Sequence, residues 1–311
     1  MIARCPSCRA EVRHSSNFCS KCGQRLTSKI FSLEVPMTRE EMKLTSIDHT
    51  CPVAWAAEHG LLNGSPVYPS WCLSAQRDNV LSHAYSQRMV QEIPLDLLLW
   101  QEGRISIYYA PWDWVNTAAK VMLVGITPGA YQAIEALREA RRCLLAGMSN
   151  EETLRSADAV GAFSGPMRTN LVNMLDGIGV ARALGIDTTA RLFGSHHRLA
   201  AHVSAIDYPV FIDGKNYTGG SPSLVRHPVL RSLVVACLGA RVAMVPNAVV
   251  IPLGEAAQKA TELLIERSLL DRRRCLLGFP HPSGGNGWRV RYYKERQQHL
   301  TADVARLFIA R

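Results

Sequence analysis

From residue 120 to residue 309 the chain alternates short apolar runs with amphipathic segments of helical period, and no other feature narrows its fold as much. Lys120–Gly125 (KVMLVG), Pro209–Ile212 (PVFI), Ala248–Leu253 and Cys275–Phe279 read as buried strands bounded by turns. Tyr131–Leu145 sets Ala133, Ile134, Leu137, Ala140 and Leu144 on one helical face, and Val225–Leu238 does the same with Val229, Leu230, Leu233, Val234 and Cys237. Further helices are expected over 166–183, 255–270 and 291–309. Strands alternating with helices predict right-handed crossovers and an α/β fold: a three-layer αβα arrangement around a central, mainly parallel four-stranded sheet. Ligands of such sheets bind at the carboxyl ends of the strands. The stretch 45–118 is rich in Trp and Pro and predicts helices and irregular segments, with 79–92 the clearest helix.

The N-terminus is a different kind of unit. Cys5-Pro-Ser-Cys8 and Cys19-Ser-Lys-Cys22 are two CxxC knuckles ten residues apart, a spacing that places four thiolates tetrahedrally around one ion. So short a segment cannot build a core, so the metal would fold it. Structural Zn²⁺ suits four closed sulfur ligands, and an iron–sulfur cluster is the rival occupant. This module resembles a short bacterial zinc ribbon, a family that mostly binds nucleic acid or proteins. The expected organisation is a ribbon over 1–28, a linker over 29–44 ending in a polar helix (Thr38–Leu44), and a catalytic domain over 45–311. Cys51, Cys72, Cys143, Cys237 and Cys275 form no second knuckle and read as core thiols.

The net charge of +9 is unevenly placed. Residues 1–30 carry a net +5 and residues 272–311 a net +7, so the long middle is net −3. Basic ends on a mildly acidic body suit phosphate-bearing partners, and equally suit a solubilising surface. No apolar run approaches membrane-spanning length, and the first residues carry no apolar signal region. A cytoplasmic location and no membrane partner are expected, and no obligate protein partner is evident.

Two strand-ending loops carry the chemistry: Gly125-Ile126-Thr127-Pro128-Gly129, and His281-Pro282-Ser283-Gly284-Gly285-Asn286 after Phe279-Pro280. Their glycines and prolines let backbone approach a ligand closely. Between them lie Ala162-Phe163-Ser164-Gly165, Pro209-Val210-Phe211-Ile212-Asp213 and Leu253-Gly254-Glu255-Ala256-Ala257. In this order the five segments resemble the uracil-DNA glycosylase superfamily, over about residues 120–290. The resemblance implies a base pocket made by Gly125, Ile126, Pro128 and Gly129, with Thr127 at the water-orienting position. It implies that Phe163 stacks on a flipped base and that His281 donates to the pyrimidine O2 as negative charge grows there. Ser283, Gly284, Gly285 and Asn286 would hold the DNA backbone, with Arg289 and Arg291 extending that surface.

Two positions depart from the family. Members strong on uracil place Asp or Asn where this chain has Thr127, which can orient a water but cannot take its proton at neutral pH. The base-edge reader, Asn in uracil enzymes, is matched here by Asp213, whose protonated carboxyl would suit cytosine; Asn216, three residues on, would restore a uracil reader. Plain cytosine cannot be the target in a living host. The expectation is therefore a monofunctional DNA glycosylase that releases a modified cytosine, such as glucosylated hydroxymethylcytosine of phage DNA, in antiviral defence. The polar run Lys215–Ser221 would hold the adduct. No lysine stands in either motif loop, so no lyase step is expected, nor any catalytic metal. Uracil repair is the alternative within the class, and a non-catalytic zinc-ribbon nucleic-acid-binding protein the alternative outside it.

Overall fold

The structure, a computed structural model, describes residues 3–4, 11–12, 71–85, 93–285 and 287–309. The chain divides into two compact units, Met1–Ile47 and Asp48–Arg311. In the first, β1 (Ala3–Arg4) pairs antiparallel with β2 (Glu11–Val12). Cys5, Cys8, Cys19 and Cys22, the expected helix Thr38–Leu44, and Asn286 lie outside the described residues.

The second unit is a mixed α/β fold built on a parallel sheet of β5 (Val121–Gly125), β6 (Ala200–Ser204) and β9 (Val249–Pro252), in the order β6-β5-β9. Strand side chains alternate between two apolar layers. Met122, Val124 and Val203 pack with α2 (Ala130–Leu145), α3 (Asn150–Gly161), α6 (Pro228–Met244) and α7 (Glu255–Glu266). Val121, Leu123 and Ile251 pack with α4 (Pro166–Gly177), α5 (Val180–Leu184) and α8 (Arg289–Ile309). β5 is buried along its whole length, as a parallel strand covered on both faces must be.

The second parallel strand is Ala200–Ser204, not the expected Pro209–Ile212. The sequence AAHVS hides a polar His202 inside a strand, which breaks the apolar run that a buried strand shows. Pro209–Ile212 instead contributes β7 (Val210–Ile212) to an antiparallel sheet, β3-β4-β7-β8, with β3 (Leu98–Glu102), β4 (Ile105–Tyr108) and β8 (Lys215–Asn216). So the described part of 45–118 contributes two strands where only helices and irregular chain were expected. The described helix there is α1 (Leu73–Ser82), earlier than 79–92, of which residues 86–92 lie outside the described chain. Cys275–Phe279, expected as the fourth strand, meets the sheet through one parallel bridge, Val250 to Cys275. The helix expected over 166–183 is broken into α4 and α5 at Gly179, whose φ of +86° is left-handed. Helix α3 was not expected, although Ser149 and Glu152 at its start form a capping box readable from sequence. Cys143, Cys237 and Cys275 are buried free thiols, as expected, and Cys72 is half-buried.

Candidate functional site

One cleft of about 1350 Å³ opens at the carboxyl ends of the parallel strands, larger than the roughly 300–1,000 Å³ usual for a small-molecule pocket. Three strand ends and one bridged segment feed it. Gly125 through Gly129 come from β5, Val203 and Ser204 from β6, Leu253 and Gly254 from β9, and Phe279 through Gly285 from the segment bridged to β9. The crossover between α3 and α4 adds Phe163, Ser164 and Pro166. The cleft therefore gathers Gly125, Ile126, Thr127, Pro128, Gly129, Phe163, Asn216, His281, Ser283, Gly284 and Gly285 from distant parts of the chain.

Several of these are held from behind. Phe163 stands at a left-handed φ of +51°, just past the end of α3. The Arg168 guanidinium closes that helix end by donating to the carbonyls of Ala159, Val160 and Ala162 at 3.1, 2.8 and 2.6 Å, where a cation also meets the negative end of the helix dipole. The Phe163 ring then lies over Gly125, where an added Cβ would come within 3.3 Å of it. On the far side, Asn216 Oδ1 accepts from the Ala130 N–H at 2.9 Å, capping the start of α2 and leaving the amide NH₂ as its donor group. The loop that carries His281 is tied through its carbonyls: Asn170 donates to Pro282 at 3.0 Å, and Arg289 to Pro282 and Ser283 at 3.2 and 2.7 Å.

The His281 ring has a defined tautomer. The Ser283 N–H donates to Nδ1 at 3.2 Å, so the ring proton sits on Nε2. Burial lowers the pKa of the imidazole below its ordinary value, which favours this neutral form. The outcome is a neutral donor at the cleft wall, a group suited to an oxygen that gains negative charge. The Ser283 hydroxyl accepts from the Gly285 N–H at 3.2 Å, which shapes the exposed glycine turn.

Three expected residues stand elsewhere. Asp213 is not in the cleft. It turns the β7–β8 hairpin with Gly214, both at positive φ (50° and 72°), and pairs on the surface with Arg104 at 2.8 Å. Asp-Gly between two short strands is the signature of a type I′ hairpin turn, and this decides its place. Arg289 braces the His281 loop rather than standing free for a phosphate. Arg291 pairs with Glu295 at 2.8 Å and lies over the exposed Trp288 ring.

The sequence also hid residues that the fold brings to the cleft. His202, Ser204 and Asp207 line it, and no motif marks them. Asp158 Oδ2 accepts from His197 Nε2 at 2.7 Å and His202 Nδ1 at 2.8 Å. Burial alone would raise the Asp158 carboxyl, but the two imidazoles hold it well below the usual carboxylate range. These three residues are spaced closely enough to ligate a metal, though an ion would have to replace both hydrogen bonds to Oδ2. Three buried polar atoms on residues of the cleft wall find no hydrogen-bond partner among the described residues: Ser164 Oγ, His202 Nε2 and Asp207 Oδ1.

No protein-family model matches the chain. The chain is 38% identical over 208 residues to the uncharacterized protein YoxB of Bacillus subtilis (strain 168), an alignment that covers 66% of this chain and 81% of YoxB.

Proposed function

The chain belongs to the YoxB family, and for it we propose a monofunctional DNA glycosylase that takes a flipped pyrimidine nucleotide into the cleft and hydrolyses its N-glycosidic bond. One observation carries this reading: Thr127, Phe163 and His281, the three residues matched to the glycosylase resemblance in water, stacking and leaving-group roles, converge on a single cleft from separate crossovers. Cleavage builds positive charge in the sugar and negative charge on the departing base. His281 Nε2–H meets the base oxygen. The Phe163 ring covers the base face, and Thr127 orients the water. With no carboxylate at Thr127, leaving-group stabilisation bears most of the barrier.

The finer architecture belongs to the same proposal. We read the Val250–Cys275 bridge as a shortened fourth strand beside β9, completing a glycosylase-like αβα sheet. Exposed Trp288 and Tyr292 beside Arg291 suit stacking and phosphate contacts with DNA, and the ribbon of Cys5, Cys8, Cys19 and Cys22, holding Zn²⁺, would add a second contact. A cytosolic enzyme acting on modified phage DNA fits this reading. Uracil repair remains the second reading, because Asn216 lines the cleft.

The test is base release from duplexes carrying uracil or substituted cytosines, and from phage genomic DNAs, each followed by alkali cleavage at abasic sites. Strand breaks confined to one base class are expected. Absence of breaks on every substrate, with DNA binding retained, would leave only a nucleic-acid-binding protein.

A further inference from the structure

His202 stands on β6 in register with Leu123, and two residues on Ser204 pairs in register with Gly125. The His202 side chain is 1% exposed and its ring stacks on Phe193 with centroids 4.7 Å apart. Its Nδ1 faces Asp158. An ionised carboxylate only accepts, so both imidazole nitrogens that face it carry protons. In a neutral ring this places a lone pair on the other nitrogen, Nε2. That atom is buried, belongs to a residue of the cleft wall, and has no partner among the described residues. A buried acceptor left unmade is costly, so it points to a ligand donor.

We propose that Asp158, acting through His202, makes the inner wall of the cleft a hydrogen-bond acceptor that selects a 4-aminopyrimidine, the cytosine class, over a 4-oxopyrimidine. The inference rests on the glycosylase reading above. Asp213, on its surface turn, takes no part.

The spacing fits one ring. β6 and β9 flank β5, and strands lie about 4.8 Å apart, so the outer strand ends are separated by roughly 10 Å. The His281 loop adjoins β9, where the Gly254 N–H donates to the Phe279 carbonyl at 2.9 Å. A pyrimidine with a hydrogen bond of about 2.9 Å at each end spans on the order of 10 Å. With O2 on His281 Nε2–H, position 4 falls toward His202. An amino group there donates to Nε2, and the Ser204 hydroxyl can donate to N3. A carbonyl there would set lone pair against lone pair.

Two measurements test this. In ¹⁵N-histidine-labelled protein near neutral pH, His202 is expected as the Nδ1–H tautomer; an Nε2–H or doubly protonated ring would present a donor and overturn the proposal, as would a metal on Nδ1. In the release assay, wild-type protein is expected to favour 5-substituted cytosines over the matching 5-substituted uracils. His202→Leu and the unbranched His202→Met, neither of which supplies a nitrogen or oxygen acceptor, are each expected to lower that preference about ten- to a hundredfold, with folding checked by circular dichroism. Release that favours uracils, or a preference that survives in folded variants, would defeat the His202 assignment while leaving a glycosylase. No release from any base would remove the glycosylase reading itself.

Discussion

A Cβ on Gly254 would stand 2.6 Å from His281 Cβ and 3.2 Å from the His281 backbone nitrogen, so the histidine loop rests on a residue without a side chain. Gly254 also holds φ at +88°, which side chains rarely adopt. Position 254 thus sets the depth of His281 in the cleft.

His281→Ala is expected to slow base release by about 10²–10³-fold while DNA affinity holds, because the lost bond forms mainly in the transition state. Gly254→Ala should displace the same loop and reproduce much of that loss without touching the ring. Single-turnover rates beside fluorescence-anisotropy binding would measure both. Unchanged rates in His281→Ala would remove that residue from the mechanism.

Asp213→Asn is expected to leave base release within about twofold of wild type, since the side chain pairs with Arg104 in solvent, where ion pairs contribute little. A fall of an order of magnitude or more would return Asp213 to the site.

Asp113 gives a pH dependence of known sign. Its carboxylate is buried, with Oδ2 accepting from the Leu73 N–H at 2.6 Å and the Tyr109 hydroxyl at 2.8 Å. Burial nevertheless pushes its pKa up to about 7. The folded state therefore keeps a proton that the unfolded chain releases near pH 4, and this contribution is full below about pH 4 and lost as pH rises toward 7. Loss of up to about 1.4 kcal/mol per pH unit is expected from this group across that window. Asp113→Asn keeps an acceptor for both donors and removes the titration. Its urea midpoint should match or exceed wild type at pH 8 and show no such gain at pH 4. A variant weaker than wild type at pH 8 would contradict the raised pKa.

Metal analysis is expected to return about one zinc per chain, released by Cys5→Ser or Cys22→Ser. A brown protein absorbing near about 400 nm would instead indicate an iron–sulfur centre.

The sequence by itself determined the parallel strand β5, the helices that follow β5 and β9, and the two glycine-rich loops that meet in the cleft. Each is a local signal: an unbroken apolar run, a helical period, or glycine and proline at a turn. Even the place of Asp213 was legible, since Asp-Gly between short strands specifies a hairpin turn. Only the tertiary structure decided that Ala200–Ser204 is the second parallel strand and that His202 reaches the cleft. His202 is tolerated in a buried strand because Asp158, 44 residues earlier in the chain, accepts a hydrogen bond from its Nδ1. No local pattern records a partner brought in by a crossover, so the group that sets the character of the inner wall became visible only with the fold.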